Sequence, residues 1–209
     1  MPVDTEEILK GLKKLYPRPQ CALTHANPFQ LLIATILSAQ CTDERVNEVT
    51  PPLFKEFPTP EKLAKASLPR VETLIRSTGF FHQKAKSLVV SSRLLVEKHG
   101  GEIPRTMEDL LALRGVARKT ANVVLGTAYG ISVGIVVDTH VKRLSKRLGL
   151  TRETDPVKVE RDLMKKVPQT DWIWFSHALI THGRRLCTAV KPQCPQCPLN
   201  KLCPFAGKV

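Results

Sequence analysis

Four of the six cysteines in this chain of 209 residues fall within its last 23 residues, in the pattern Cys-x6-Cys-x2-Cys-x5-Cys formed by Cys187, Cys194, Cys197 and Cys203. Thiolates clustered at short, unequal intervals are typical of a metal centre, because the ligands must converge from irregular backbone. Six cysteines are too dilute for the disulfide framework of a small secreted domain. The isolated Cys21 and Cys41 are interpreted as small hydrophobic residues. The tail therefore predicts a small metal-binding module.

Basic residues dominate the charge of the chain, with a formal net charge of +13 and a sequence pI of about 9.7. Such an excess attracts polyanions, because each phosphate neutralised by Lys or Arg releases condensed counterions from nucleic acid. A solvated surface that only aids solubility is the alternative. The excess is spread along the chain, which favours a folded basic surface, in Lys142, Arg143, Lys146, Arg147, Lys165, Lys166, Arg184 and Arg185.

Neither a membrane segment nor an export signal is predicted. The longest apolar run, residues 31–37, is far shorter than the roughly 20 residues that a bilayer span requires. The N-terminal residues have no basic start and no apolar signal core. We expect a soluble protein of a reducing compartment, the cytoplasm, associated with the nucleoid if the source is bacterial.

Helix start and stop signals recur from end to end, and predict an all-α fold of about ten or eleven short helices. Starts are marked by a capping residue before proline, at Asn27-Pro28, Thr59-Pro60 and Asp155-Pro156. Stops are marked by glycine, at Gly79, Gly100, Gly130, Gly149 and Gly183. Residues 131–137 look strand-like, but they lack a second such run to pair with and are interpreted as a buried extended connection.

Residues 106–130 predict a helix-hairpin-helix. Thr106 begins a short capped helix that Gly115 ends, and a second helix is expected from Arg118 to Tyr129. The tight turn between them is Gly115-Val116-Ala117. Its backbone N–H groups lie where the partial positive charge of the second helix gathers, so this turn is expected to bind phosphate without reading sequence.

Lys119 and Asp138 are the candidate chemical groups. Lys119 falls in the first turn of the second hairpin helix, beside Arg118. An ordinary lysine at pH 7 has only about one free amine in 2,500, but a helix N-terminus and neighbouring cations disfavour the ammonium. A phosphate-binding lysine is the alternative. Asp138 enters a later helix, where it would cap the helix and, as a carboxylate near a lysine, could accept a proton or stabilise a cation.

Three separated motifs together resemble the endonuclease III family of DNA glycosylases with abasic-site lyase activity. They are the hairpin sequence of residues 113–122, the Val-Asp-Thr-His segment of residues 137–140, and the cysteine tail. Residues 37–43 add a shorter match. The resemblance covers nearly the whole chain.

The resemblance implies a bilobed helical fold. A six-helix domain would span residues 22–131, and residues 1–21 with 132–209 would surround a [4Fe-4S] cluster held by the four tail cysteines. Zinc is the generic alternative for four cysteines. A monomer acting on double-stranded DNA that contains damaged pyrimidines or abasic sites is implied.

The resemblance also implies residue roles. Lys119 matches the lysine that attacks C1′ of a flipped, oxidised pyrimidine nucleotide, and Asp138 the carboxylate that assists the attack. Gln40 matches the side chain that fills the gap left by the flipped nucleotide, and Phe80 the wedge beside the opposite base. The remaining expected DNA contacts are Gly115, Val116, Ala117, Arg118, Arg184, Arg185 and Lys191.

The chain departs from the family pattern at several positions. The hairpin has Arg114 in place of a proline and Ala117 in place of a glycine. If Ala117 must be left-handed, it would cost about 1 kcal/mol. Phe80 replaces a leucine-like wedge, and Leu111 replaces a carboxylate found near the base pocket in some relatives, so the resemblance does not determine the range of lesions.

Two other functions fit parts of the pattern. An adenine-specific glycosylase of the same superfamily typically lacks the nucleophilic lysine, so Lys119 argues against it. A non-catalytic DNA-binding module could keep the hairpin and the metal site without the chemistry. Only an enzyme that forms a Schiff base would be trapped on DNA by borohydride.

Overall fold

The computed structural model describes residues 4–208, which form an all-α fold. Eleven α-helices lie within them: α1 Thr5–Leu15, α2 Pro28–Leu37, α3 Asp43–Glu56, α4 Pro60–Ala64, α5 Leu68–Ile75, α6 Phe81–His99, α7 Met107–Ala112, α8 Arg118–Tyr129, α9 Thr139–Arg147, α10 Pro156–Met164 and α11 Trp172–Arg185. Short 3-10 turns occupy Arg76–Thr78, Gln169–Asp171, Cys194–Gln196 and Asn200–Leu202. The predicted fold class is confirmed. Each helix in residues 4–208 is too short or too polar to span a bilayer.

The chain divides into two compact units. One consists of Cys21–Ile131, and the other of residues 4–20 with residues 132–208. Each unit has its own core of buried apolar side chains: α2, α6 and α8 contribute to the first, and α1, α9 and α11 to the second. The predicted domains differ from these units at Cys21, which is predicted to belong with the terminal residues but lies in the unit Cys21–Ile131.

Helix starts follow the capping signals in the sequence. Asn27 Oδ1 accepts a hydrogen bond from Gln30 N at 2.9 Å and precedes Pro28. Asp155 Oδ1 accepts from two backbone N–H groups of α10. Each cap satisfies donors that a helix N-terminus leaves without intrahelical partners. Residues 131–137 contain no strand, and Val136 N donates to Ser176 Oγ of α11 at 3.0 Å.

Gly183 contradicts its prediction as a helix stop. Gly100 and Gly130 do end helices in the left-handed conformation, as predicted. Gly183, however, lies inside α11, is buried, and faces α9. A Cβ at this position would lie 2.9 Å from His140 Nδ1 and 3.1 Å from an Arg143 terminal nitrogen. The glycine is therefore needed for the close approach of two helices.

We predict that Gly183→Ala lowers the free energy of unfolding by about 1–3 kcal/mol, because the added methyl group overpacks the contact between α9 and α11. Urea denaturation followed by circular dichroism measures the change. Thr181→Ala on the same helix adds no atoms and is expected to cost less. Equal losses in the two variants would contradict the overpacking.

Candidate active site and metal centre

The hairpin turn is shaped around Gly115. Its φ is +81°, a left-handed conformation that favours glycine. Space demands glycine as well, because a Cβ would lie 2.9 Å from Ser87 Cβ on α6. Ser91 Oγ, one turn further along α6, donates to the carbonyl of Arg114 at 2.8 Å. Helix α6 thus packs against the hairpin turn and is hydrogen-bonded to it.

Ala117 does not carry the strain considered for it. Its φ of −99° and ψ of 170° are extended and open to any residue. Ala117 is the N-cap of α8 and offers no side-chain acceptor to the helix N–H groups. Ala117 and Arg118 are exposed, whereas Val116 is buried. The start of α8 is therefore a surface suited to an anion.

Lys119 is the second residue of α8 and is exposed. The opposite face of α8, with Ala121, Val124 and Leu125, is buried in the core of its unit. This amphipathic arrangement directs Lys119 outward, immediately beyond the hairpin turn. An amine so placed is accessible to a substrate bound at the helix start.

Asp138 caps α9, as predicted. Its Oδ1 accepts a hydrogen bond from Val141 N at 2.8 Å, and its φ and ψ are extended. The residue is half-buried at the end of the extended connection.

Gln40 and Phe80 share an unusual backbone conformation. Their φ values are +53° and +48°, and among residues 4–208 they are the non-glycine residues with positive φ. Such a conformation costs an L-residue about 1–2 kcal/mol. Both side chains are exposed, Phe80 to 66%. Sequence reasoning had no signal for this feature. Leu111 is also exposed, to 44%.

The four tail cysteines line one pocket of ≈ 400 Å³, part of it open to solvent. Apolar side chains complete it, including Leu144 of α9, Leu148 directly after that helix and Phe205 of the tail. None of the cysteines is in a disulfide. Within residues 4–208, no three His, Cys, Asp or Glu side chains are grouped closely enough for a single metal ion. Four thiols around one apolar pocket are the donor set of a [4Fe-4S] cluster.

Two family models match the chain. That of the HhH-GPD superfamily of base excision DNA repair proteins matches residues 33–169. That of the iron-sulfur binding domain of endonuclease III matches residues 187–203, from the first to the last cysteine of the tail.

Full-length relatives are similar as well. Endonuclease III of Synechocystis sp. is 59% identical over 200 residues, which are 96% of this chain and 91% of that protein. Endonuclease III of Escherichia coli K12 is 41% identical over 203 residues, or 97% and 96%. A solved structure of a trapped covalent endonuclease III–DNA intermediate has a TM-score of 0.93 and 44% identity, and covers 99% of this chain and 98% of that one.

The chain belongs to the endonuclease III family. It is a DNA glycosylase and abasic-site lyase of base excision repair, its partner is DNA, and its cofactor is the predicted [4Fe-4S] cluster. The zinc site and the non-catalytic module are set aside. The individual roles of the site residues stay predictions.

Arg147 organises the endonuclease III cysteine tail and was missed as a cluster residue by sequence reasoning. One terminal nitrogen of its guanidinium lies 3.3 Å from Cys187 Sγ and donates to Thr188 O at 2.7 Å, and the other donates to Ala189 O at 2.8 Å. The guanidinium carbon also lies 4.6 Å from the ring centroid of Phe205. Arg147 therefore supports Cys187, the first predicted ligand, rather than forming part of a free basic surface.

Arg143 has a similar position one turn earlier on α9. One of its terminal nitrogens donates to Gly183 O at 3.0 Å and to Cys187 O at 2.9 Å. Burial lowers the pKa of Arg143, and the nearby Arg147 lowers it further. Two of the arginines counted as basic surface are thus structural.

His182 lies beside Cys197, another of the predicted ligands. Its Nε2 lies 3.6 Å from Cys197 Sγ, and its Nδ1 lies 3.1 Å from the hydroxyl of Tyr16. Burial lowers the pKa of His182 to about 4, so the imidazole is neutral near pH 7. Burial also raises the pKa of the Cys197 and Cys203 thiols, and bound iron would supply the positive charge that holds them as thiolates.

Three predicted phosphate contacts stand around this centre. Arg184 and Arg185 end α11 and are exposed, and Lys191 is exposed in the loop between the first two cysteines. Val190 beside it is exposed to 80%. The loop thus presents the positive charge of Lys191 next to the exposed apolar side chain of Val190.

We predict that Arg147→Ala releases iron about tenfold faster than wild type under a chelator, because it removes the hydrogen bonds that hold the loop after Cys187. Loss of the visible absorbance of the cluster measures the rate. Lys146→Ala, an exposed neighbour on α9, removes the same charge without those bonds. Faster release from both variants would assign the effect to charge alone.

Proposed function

We propose that this enzyme removes oxidised pyrimidines from duplex DNA, with Lys119 as the nucleophile and Asp138 as the assisting carboxylate. The observation that carries the proposal is the position of Lys119, exposed in the first turn of α8 directly after a hairpin turn that has no side-chain cap. A phosphate at that turn would bring the neighbouring sugar towards the amine.

DNA binding begins with the backbone of the hairpin. The turn Gly115–Ala117 and the adjacent Arg118 would hold a phosphate through N–H groups and positive charge, without reading the base. Arg184, Arg185 and Lys191 would contact further phosphates. This mode suits a repair enzyme, because damage occurs in every sequence context.

Flipping of the damaged nucleotide precedes chemistry and costs a few kcal/mol, least where base pairing is already weak. Gln40 would fill the vacated space, and Phe80 would wedge beside the opposite base. Their exposed side chains and left-handed backbones support these roles. Leu111, exposed near the hairpin, replaces a polar group with an apolar surface, and we expect it to affect which lesions are accepted.

The reaction uses the neutral amine of Lys119. Its nitrogen bonds to C1′ as the C1′–N bond to the damaged base breaks, and the base leaves with the bonding electrons and a proton. Opening of the sugar gives a Schiff base between Lys119 and C1′, which acts as an electron sink. Loss of a proton from C2′ then expels the 3′ phosphate by β-elimination, and hydrolysis frees the lysine.

Asp138 would assist the attack in one of two ways. It can accept the proton that Lys119 must lose, or it can stabilise the cationic sugar as the base departs. The hydrogen bond from Val141 N fixes the position of the carboxylate for either role. The [4Fe-4S] cluster would hold the tail in its fold. We place the enzyme, as a monomer, in the cytoplasm.

Lys119→Gln is expected to abolish covalent trapping by borohydride on duplex DNA with an abasic site, because an amide cannot form a Schiff base. Gel analysis of the cross-linked complex measures the yield. Arg118→Gln removes the neighbouring charge but leaves the amine, so at saturating enzyme it should trap like wild type. Wild-type trapping by the Lys119 variant would falsify the assignment.

Asp138→Asn separates chemistry from capping. Asparagine caps helices about as well as aspartate, so the melting temperature should barely change. Without the carboxylate, the single-turnover rate of base removal should fall by about 10²–10⁴-fold. Asp155→Asn, the same change at the N-cap of α10, serves as the control. Equal activity of the two variants would limit Asp138 to capping.

A further inference from the structure

Helix α6 contains a buried lysine that the proposed reaction does not use. Lys84 is only 6% exposed, and its Nζ donates to the carbonyl oxygen of Thr78 at 2.7 Å. Burial lowers the pKa of Lys84, and the nearby Cys41 acts in the opposite direction. A buried amine without a hydrogen-bond partner is costly, so Lys84 is expected to keep its bond to the Thr78 carbonyl. That bond holds the carbonyl in a defined place.

Lys84 makes two hydrogen bonds to the turn that carries Phe80. Its side chain binds the carbonyl of Thr78, two residues before Phe80, and its backbone N–H donates to the carbonyl of Phe80 at 3.0 Å. Between these anchors the chain passes through Gly79 at φ +69° and Phe80 at φ +48°. Thr78 is tied further by its own hydroxyl, which donates to Ile75 O at 2.8 Å.

We propose that Lys84 is a positioning residue that keeps Phe80 in the backbone conformation needed to enter the DNA stack. This inference rests on the proposed role of that side chain. Lys84 itself touches neither the sugar nor the base. Its loss should weaken steps that require flipping from a paired duplex and spare steps in which no pairing opposes flipping.

The test compares one oxidised pyrimidine in a fully paired duplex and in a single strand, under single-turnover conditions. Lys84→Met keeps the length and apolar stem of the side chain but removes the donor. We expect the ratio of the paired rate to the single-strand rate to fall by about tenfold, because flipping costs a few kcal/mol in a paired duplex and least in a single strand. Lys86→Met, an exposed lysine on the same helix, should leave the ratio unchanged.

An unchanged ratio in Lys84→Met would overturn the proposal, whether both rates stay at their wild-type values or both fall by the same factor, the latter indicating a general loss of structure. If that variant does not fold by circular dichroism, Lys84→Arg decides. Its bulkier planar group must displace the Thr78 carbonyl, so its ratio must fall relative to Lys86→Arg.

A binding measurement separates this proposal from the proposed function. The affinity for a duplex with a non-cleavable abasic-site analogue, relative to undamaged duplex, requires no reaction at Lys119. That preference should fall about tenfold in Lys84→Met. Failure of wild type to trap with borohydride would count against the nucleophile alone, while an unchanged preference would count against Lys84.

Discussion

The cysteine tail depends on the hydrogen bonds that the guanidinium of Arg147 donates to it. Residues 187–208 contain only two short 3-10 turns, so the tail cannot satisfy its own backbone through regular structure. Arg147 binds consecutive carbonyls of the tail and the sulfur of Cys187 from the last turn of α9. The first turn of that helix is capped by Asp138. One helix therefore supports a predicted cluster ligand at one end and the proposed catalytic carboxylate at the other.

The two proposed catalytic residues both stand at helix starts, but the two starts differ electrostatically. Asp138 satisfies the first turn of α9 with its own carboxylate, which leaves that terminus closed to an external anion. Ala117 offers α8 no such acceptor, so the partial positive charge of that terminus remains available for phosphate. A cap such as serine or aspartate at position 117 would compete with the ligand. Alanine suits a helix start that is proposed to bind DNA phosphate.

Local signals predicted the parts of the structure that depend on local physics. The capping residues, the limits of α8 and the cysteine pattern could be read from neighbours in sequence, because caps and ligand spacings are short-range. The role of Gly183 could not, since the reason for a glycine there is a side chain on another helix. Arg147 looked like surface charge because its partner Cys187 is 40 residues away.

Gln40 and Phe80, the two non-glycine residues with left-handed backbone in residues 4–208, show why contacts that cannot be read from the local sequence matter. Glycine would adopt the backbone of Gln40 or Phe80 without steric cost, yet it would present no side chain to the DNA stack. A side chain in that conformation costs about 1–2 kcal/mol and persists only where surrounding contacts determine it. At Phe80 those contacts are the two hydrogen bonds from Lys84, one from its side chain and one from its backbone. The backbone of the proposed wedge is thus held in part by the side chain of a buried lysine.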